Sequence, residues 1–113
     1  MATVRRIIYE LPERFIPEKA EGWDSLIHLD LTGSDGGQYS IEIENGNVSI
    51  TDGLNGTPKC VIRTSTKTYL DIELGRQTPH EAMSEGKIEI SKVGEALQIA
   101  RSFRRYNRLI ETA

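Results

Sequence analysis

Two hydrophobic periods organise this chain. Ile27, Leu29 and Leu31 alternate with His28, Asp30 and Thr32, and Tyr39, Ile41 and Ile43 alternate with Ser40, Glu42 and Glu44. A period of two with one polar phase predicts strands that keep one face wet. Asn45-Gly46 is the favoured pair for a tight hairpin turn, and Val48 and Ile50 carry the alternation past it, so the second and third strands are expected as antiparallel neighbours. Ahead of them, Val4, Ile7, Ile8 and Leu11 recur at helical spacing, which predicts a short amphipathic helix before Pro12, with a further turn starting at Pro17. Gly33-Ser34-Asp35-Gly36-Gly37 reads as the turn of a hairpin rather than a phosphate loop, and Trp23 as a packing residue.

The pattern is densest over residues 60–90. Cys60 and Ile62 alternate with Val61 and Arg63 as an extended segment; Thr64-Ser65-Thr66 can then cap a helix that ends at Gly75. Thr78, Pro79 and Glu81 form a capping box with proline at the first helical position, so a second helix begins there and stops at Gly86. A half-buried strand, Lys87-Ile88-Glu89-Ile90, follows. The first of these helices is a candidate lid. At 100° per residue, Tyr69, Leu70, Ile72 and Leu74 span one broad arc, with Asp71 outside it and Glu73 inside it. Two readings of Glu73 follow: a solvated carboxylate at a helix end, paired with Arg76 or Lys67, or a polar anchor at the mouth of a pocket.

A last helix, expected to be the longest, carries the stripe Val93, Ala96, Leu97, Ile99, Ala100, Phe103, Tyr106 and Ile110, with Arg101, Arg104, Arg105 and Arg108 toward its end. These arginines suit the negative end of the helix dipole and the surrounding glutamates. Alternatively, with Arg5 and Arg6, they make transient contact with anionic lipid headgroups or meet a phosphate-bearing ligand while the apolar side borders the pocket. One face of the sheet is wet, so helices are expected on the other, an α+β layout.

At 113 residues and a formal charge of −3, the chain has the size of one domain, 1–113 with a packed helical segment over 1–22, and nucleic acid is not an expected partner. Its one cysteine forms no internal disulfide, and Cys60 falls on the apolar phase of its strand. The absence of a basic-then-apolar leader points to a cytoplasmic protein, and Glu111-Thr112-Ala113 is not a peroxisomal address. Catalytic signals are weak. His28 and His80 read as solvated side chains, no metal-ligand or cofactor pattern occurs, and neither GxSxG, HExxH nor CxxC is present.

Tyr69-Leu70-x-Ile72-x-Leu74-Gly75, then Pro79, Ala82 and Gly86-Lys87-Ile88-x-Ile90, resemble the core signature of the sterol carrier protein type 2 domain. Leu11-Pro12-x-x-Phe15-x-Pro17-x-Lys19-Ala20-x-Gly22, the strand from Ile27 to Gly33, Gly37-x-Tyr39-x-Ile41, Asn45-Gly46 and Gly53 fit as well, so the resemblance runs from about residue 8 to about residue 103. The chain departs from that family at the junction into the last helix, where Ser91-Lys92-Val93-Gly94 stands in place of a usual Gly-Asp.

The resemblance implies a mainly antiparallel, roughly five-stranded twisted sheet with helices on one face and a hydrophobic tunnel between. It implies a non-enzymatic carrier of a fatty acid, fatty acyl thioester, sterol or similar lipid, acting as a monomer or homodimer. By position, Tyr69, Leu70, Ile72, Glu73, Leu74, Ala82, Met83, Leu97, Ala100 and Phe103 are placed at the pocket, with Ile41, Ile43 and Ile88 as sheet-side lining. Relatives often carry an apolar residue at the position of Glu73. A scaffolding or dimerisation module beside lipid-modifying enzymes is the alternative, and an enzyme using Glu73 or a histidine as base a third reading.

Overall fold

The computed structural model describes residues 4–104. Helices α1 (Val4–Tyr9) and α2 (Leu11–Arg14) and a 3₁₀ turn at Pro17–Ala20 lead into strand β1 (Ser25–Thr32). Strands β2 (Gly37–Glu44), β3 (Asn47–Asp52) and β4 (Cys60–Ser65) follow, then α3 (Thr66–Glu73), α4 (Pro79–Ser84), β5 (Ile88–Ile90) and α5 (Val93–Arg101). The five strands form one sheet in the order β3-β2-β1-β4-β5. Only β1 and β4 run parallel; the other neighbours are antiparallel.

Register puts one phase of every strand on each face. Ile27, Ile41, Ile50 and Cys60 stand on one row, and Leu29, Tyr39, Ile62 and Ile90 on the next, so this inner face is continuous apolar surface. Val4, Ile8 and Leu11 of α1 and α2 close over it in one cluster, and Phe15, Ala20 and Ile43 form a second, with Ile99 and Phe103 packed against both. The hairpin after β2 turns through Asn45 and Gly46, both with positive φ (51° and 76°), as a two-residue turn matched to strand twist requires.

The outer face is polar but not open throughout, because parallel pairing of β4 with β1 forces the chain to return from the sheet's far edge. Residues 53–59 make that crossing. The Ser40 hydroxyl donates to the Gly53 carbonyl (2.7 Å) and accepts from Asn55 N (2.9 Å), His28 Nε2 meets the Asn55 carbonyl (2.8 Å), and Lys59 N donates to the Leu26 carbonyl (2.8 Å). His28, expected as a solvated side chain, is therefore buried beneath this connection at 7% exposure. His80 is exposed as expected.

α1 is fixed to the edge strand by a surface tie. Arg5 donates both guanidinium nitrogens to the Asp52 carboxylate (2.9 and 3.0 Å), Tyr9 donates its hydroxyl to the same group, and the Arg5 guanidinium lies 4.8 Å above the Tyr9 ring. The bond from Arg5, then that from Tyr9, holds the Asp52 carboxyl below its ordinary range. A depressed carboxyl stabilises the fold above its unfolded value, and the gain disappears as pH falls through the folded one. The denaturation midpoint of the wild type should exceed that of Asp52→Asn by more at about pH 7 than at about pH 3. An equal gap at both pH values would show that the tie is not ionic.

α5 is shorter than its apolar stripe suggests. It ends at Arg101, because the Ser102 hydroxyl turns back to the Gln98 carbonyl (2.8 Å) and Phe103 leaves the helix to form a β-bridge with Phe15. Tyr106, Ile110, Arg105 and Arg108 lie outside the described residues. At the other end, Lys92 occupies the N-cap with no side-chain cap, so the Ser91–Gly94 junction opens the helix without the usual donor satisfaction.

Candidate ligand cleft

Each wall of the candidate site is set by local sequence. Ser65 caps α3 by accepting from Thr68 N, at 3.0 Å, and Gly75 follows the helix with φ 78°. The capping box of α4 forms in both directions between Thr78 and Glu81, burying Ala82 completely and turning the chain into β5. Ile88 and Ile90 of β5 pair with Thr64 and Ile62 of β4, so all three isoleucines point to the inner face. There they remain only half-buried, whereas Ile27, Leu29 and Ile41 on the central strands are at most 4% exposed.

The uncovered strip is bordered by α5. One flank of that helix is held by polar contacts: Glu95 Oε2 accepts from Trp23 Nε1 (3.1 Å) and Ser25 Oγ (2.7 Å), and Gln98 Nε2 donates to the Lys19 carbonyl (2.8 Å). At 100° per residue, Val93, Leu97 and Ala100 lie on the flank opposite Glu95 and Gln98. All three are exposed, Leu97 at 51%, and no residue of α5 within Val93–Arg101 is fully buried. Across the strip, Leu70, Ile72 and Leu74 of α3 are half-buried, and Met83 of α4 is exposed. The apolar side chains that keep exposed surface on the inner side of the sheet thus include those of α3, α4, β5 and one flank of α5.

The C-terminal end of α3 is charged. Arg14, whose side chain is 2% exposed, donates Nη2 to Glu73 Oε2 (2.7 Å) and Nη1 to the Arg104 carbonyl (3.2 Å). The Tyr69 hydroxyl donates to the same Oε2 at 2.9 Å. Burial, and then the Glu73 charge, push the Tyr69 phenol well above its ordinary range, so it stays protonated as a donor. Arg104 N returns a bond to the Arg14 carbonyl (2.7 Å), joining this end of α3 to the chain leaving α5.

Of the residues expected at the pocket, Tyr69, Leu70, Ile72, Glu73, Leu74 and Ile88 are half-buried, Met83, Leu97 and Ala100 are exposed, and Ala82 is fully buried. Ile41 and Ile43 stand apart, at 4% and 0% exposure inside the packed core, and Phe103 packs on the Phe15 ring with centroids 5.4 Å apart. The expected partners of Glu73 belong instead to Asp71, which takes Lys67 (3.1 Å) and Arg76 (3.7 Å). Arg14 is the partner that local spacing does not point to. The signal for it is indirect: a carboxylate on an apolar arc needs a cation, but the sequence offers 14 lysines and arginines without saying which one folds beneath it.

Surface concavities of about 560, 470 and 310 Å³ lie elsewhere on the described residues, the smallest of them reaching Ile90 at the edge of β5. They sit beside Tyr39 and Asp52, beside Pro17 and Gly46, and on the outer side of β4 and β5 at Arg63 and Glu89. Among the described residues no group of three histidine, cysteine, aspartate or glutamate side chains is placed to hold a metal, and no helix is long and apolar enough to cross a membrane.

A five-stranded mixed sheet with helices closing one face defines a small α+β domain. The chain belongs to the SCP-2 sterol transfer family, whose sequence model matches residues 8–103. No curated protein sequence matches it. Among solved structures, a double mutant of the sec-alkyl sulfatase PisA1 superposes with a TM-score of 0.80 at 16% identity over 90% of this chain. The chain spans only 16% of that sulfatase. Sterol carrier protein 2 like 2 from Aedes aegypti gives a TM-score of 0.68 at 18% identity, covering 85% of this chain and 91% of the mosquito protein. Its palmitated form, solved in solution, gives 0.65 at 19% identity over 89% and 95% of the two chains.

Proposed function

We propose that this protein is a non-enzymatic lipid carrier that holds a long apolar ligand in the cleft between α3–α4 and α5. The observation that carries the reading is the unfinished packing of that strip. Ile62, Ile88 and Ile90 on the floor and Leu70, Ile72, Leu74, Val93 and Leu97 on the walls keep apolar surface open, whereas the inner-face side chains of the central strands β1 and β2 are closed. A contiguous open apolar strip is unfavourable in water unless something covers it. Family membership and the palmitated mosquito relative support a lipid as that cover.

Burying each ligand methylene is worth about 0.8 kcal/mol, so a run of about ten offers about 8 kcal/mol before ordering costs, enough for micromolar affinity without many polar contacts. Titration with a fluorescent fatty acid should saturate near one equivalent. Leu97→Glu should weaken binding by about tenfold or more while leaving stability within about 0.5 kcal/mol, since the side chain is already half in solvent. Absence of saturable binding for fatty acids, acyl thioesters, sterols and isoprenoids alike would overturn the reading.

The arginines give this carrier an encounter surface. Arg101 and Arg104 are exposed beside the apolar flank of α5, so transfer from anionic vesicles should slow as salt rises. Transfer insensitive both to salt and to Arg101→Glu with Arg104→Glu would reduce these residues to helix-end electrostatics.

A further inference from the structure

The charged end of the cleft holds one acceptor that the fold leaves unused. Both donors that reach Glu73, Arg14 Nη2 and the Tyr69 hydroxyl, converge on Oε2. Oε1 accepts no hydrogen bond among the described residues, and the side chain keeps 17% of its surface open. Glu73 also sits at the centre of the α3 arc, between Tyr69 and Leu70 in projection, rather than at its polar margin.

We propose that Oε1 of Glu73 is the headgroup acceptor of the cleft, selecting a long apolar ligand whose polar end is an uncharged hydrogen-bond donor, a hydroxyl, over one that ends in a carboxylate. The proposal rests on the lipid-carrier reading and specifies the ligand's polar end. Arg14 is buried and engaged by Glu73 and the Arg104 carbonyl, so its charge is committed inside the protein. An incoming carboxylate therefore meets the Glu73 carboxylate first and gains no cation. A hydroxyl gives Oε1 a charge-assisted hydrogen bond, which strengthens as the ligand chain displaces water around it. A ligand with no donor desolvates an ionised oxygen without replacing its water. The preference is a difference between three head chemistries presented to one atom.

The test uses the whole protein and three probes of one chain length: cetyl alcohol, its methyl ether and palmitate. Wild type should bind the alcohol about tenfold or more tighter than the ether, with palmitate also weaker than the alcohol. Glu73→Gln keeps the volume and removes the charge. It should bring alcohol and ether within about threefold of each other and strengthen palmitate, which can then reach Arg14 without opposition. Should Glu73→Gln not fold, the double variant Arg14→Met with Glu73→Leu makes the same comparison of alcohol with ether on an apolar wall.

Equal binding of alcohol and ether by wild type, or an unchanged ratio in a folded variant, overturns the role of Oε1 and leaves lipid binding standing. Failure of all three probes to bind removes the carrier reading itself, and this proposal with it.

Discussion

Glu73→Leu alone is expected to lower the unfolding free energy by about 3 kcal/mol or more, a large effect for a helix-terminal glutamate. The reason lies in the group left behind. The Arg14 side chain is 2% exposed, and Glu73 supplies its carboxylate partner at 2.7 Å, so the substitution leaves a buried guanidinium without that partner. Removing the pair together is different. Arg14→Met with Glu73→Leu exchanges two charges for apolar groups of similar length and should recover most of the loss, because the desolvation cost vanishes with the attraction. Urea denaturation of both single variants and the double variant closes a mutant cycle, and the coupling should exceed about 1 kcal/mol. A single variant within about 0.5 kcal/mol of wild type would return Glu73 to a solvated role.

Ile43→Ala should cost about 2–5 kcal/mol and leave ligand affinity unchanged. Ile43 is fully buried against Phe15 and Ala20, in a cluster that Val48, Trp23, Ile99 and Phe103 complete, so deleting its methyls opens a void that rigid strands cannot close. Leu97→Ala is the informative contrast. There stability should hold within about 0.5 kcal/mol while affinity falls, because the residue meets solvent in the free protein. Denaturant midpoints and binding isotherms on the two variants separate core from wall. A weakened isotherm for a folded Ile43→Ala would put that residue back in the lining, where its strand phase alone had placed it.

That contrast shows why part of the site could be read from the sequence and part could not. Alternation identifies the inner face of β2 but not what covers it; Ile41 and Ile88 share the same local pattern, yet α1 and α2 cover the first while the second stays half-open. The capping box at Thr78 and the turn at Asn45-Gly46 are local devices, and both form where their residues predict. The burial of His28 follows from the crossover over residues 53–59, which depends on β4 pairing parallel to β1 more than 30 residues away. The ion pair of Glu73 with Arg14 spans 59 positions, and no periodicity reaches so far. The end of α5 escapes the apolar pattern for a related reason: Phe103 continues the spacing, but its contact with Phe15 draws it out of the helix.

The bond between Trp23 and Glu95 gives the protein an optical reporter of its own. Trp23 is the sole tryptophan of the chain, and its indole N–H is held by the carboxylate that fastens the flank of α5 opposite Leu97. Under the carrier function proposed above, a displacement of α5 on ligand binding would change the polarity and hydrogen bonding of the one indole that emits. Exchange can therefore be followed as a shift in emission wavelength on the unlabelled chain, with Glu95→Gln as the control that loosens the contact without removing the fluorophore.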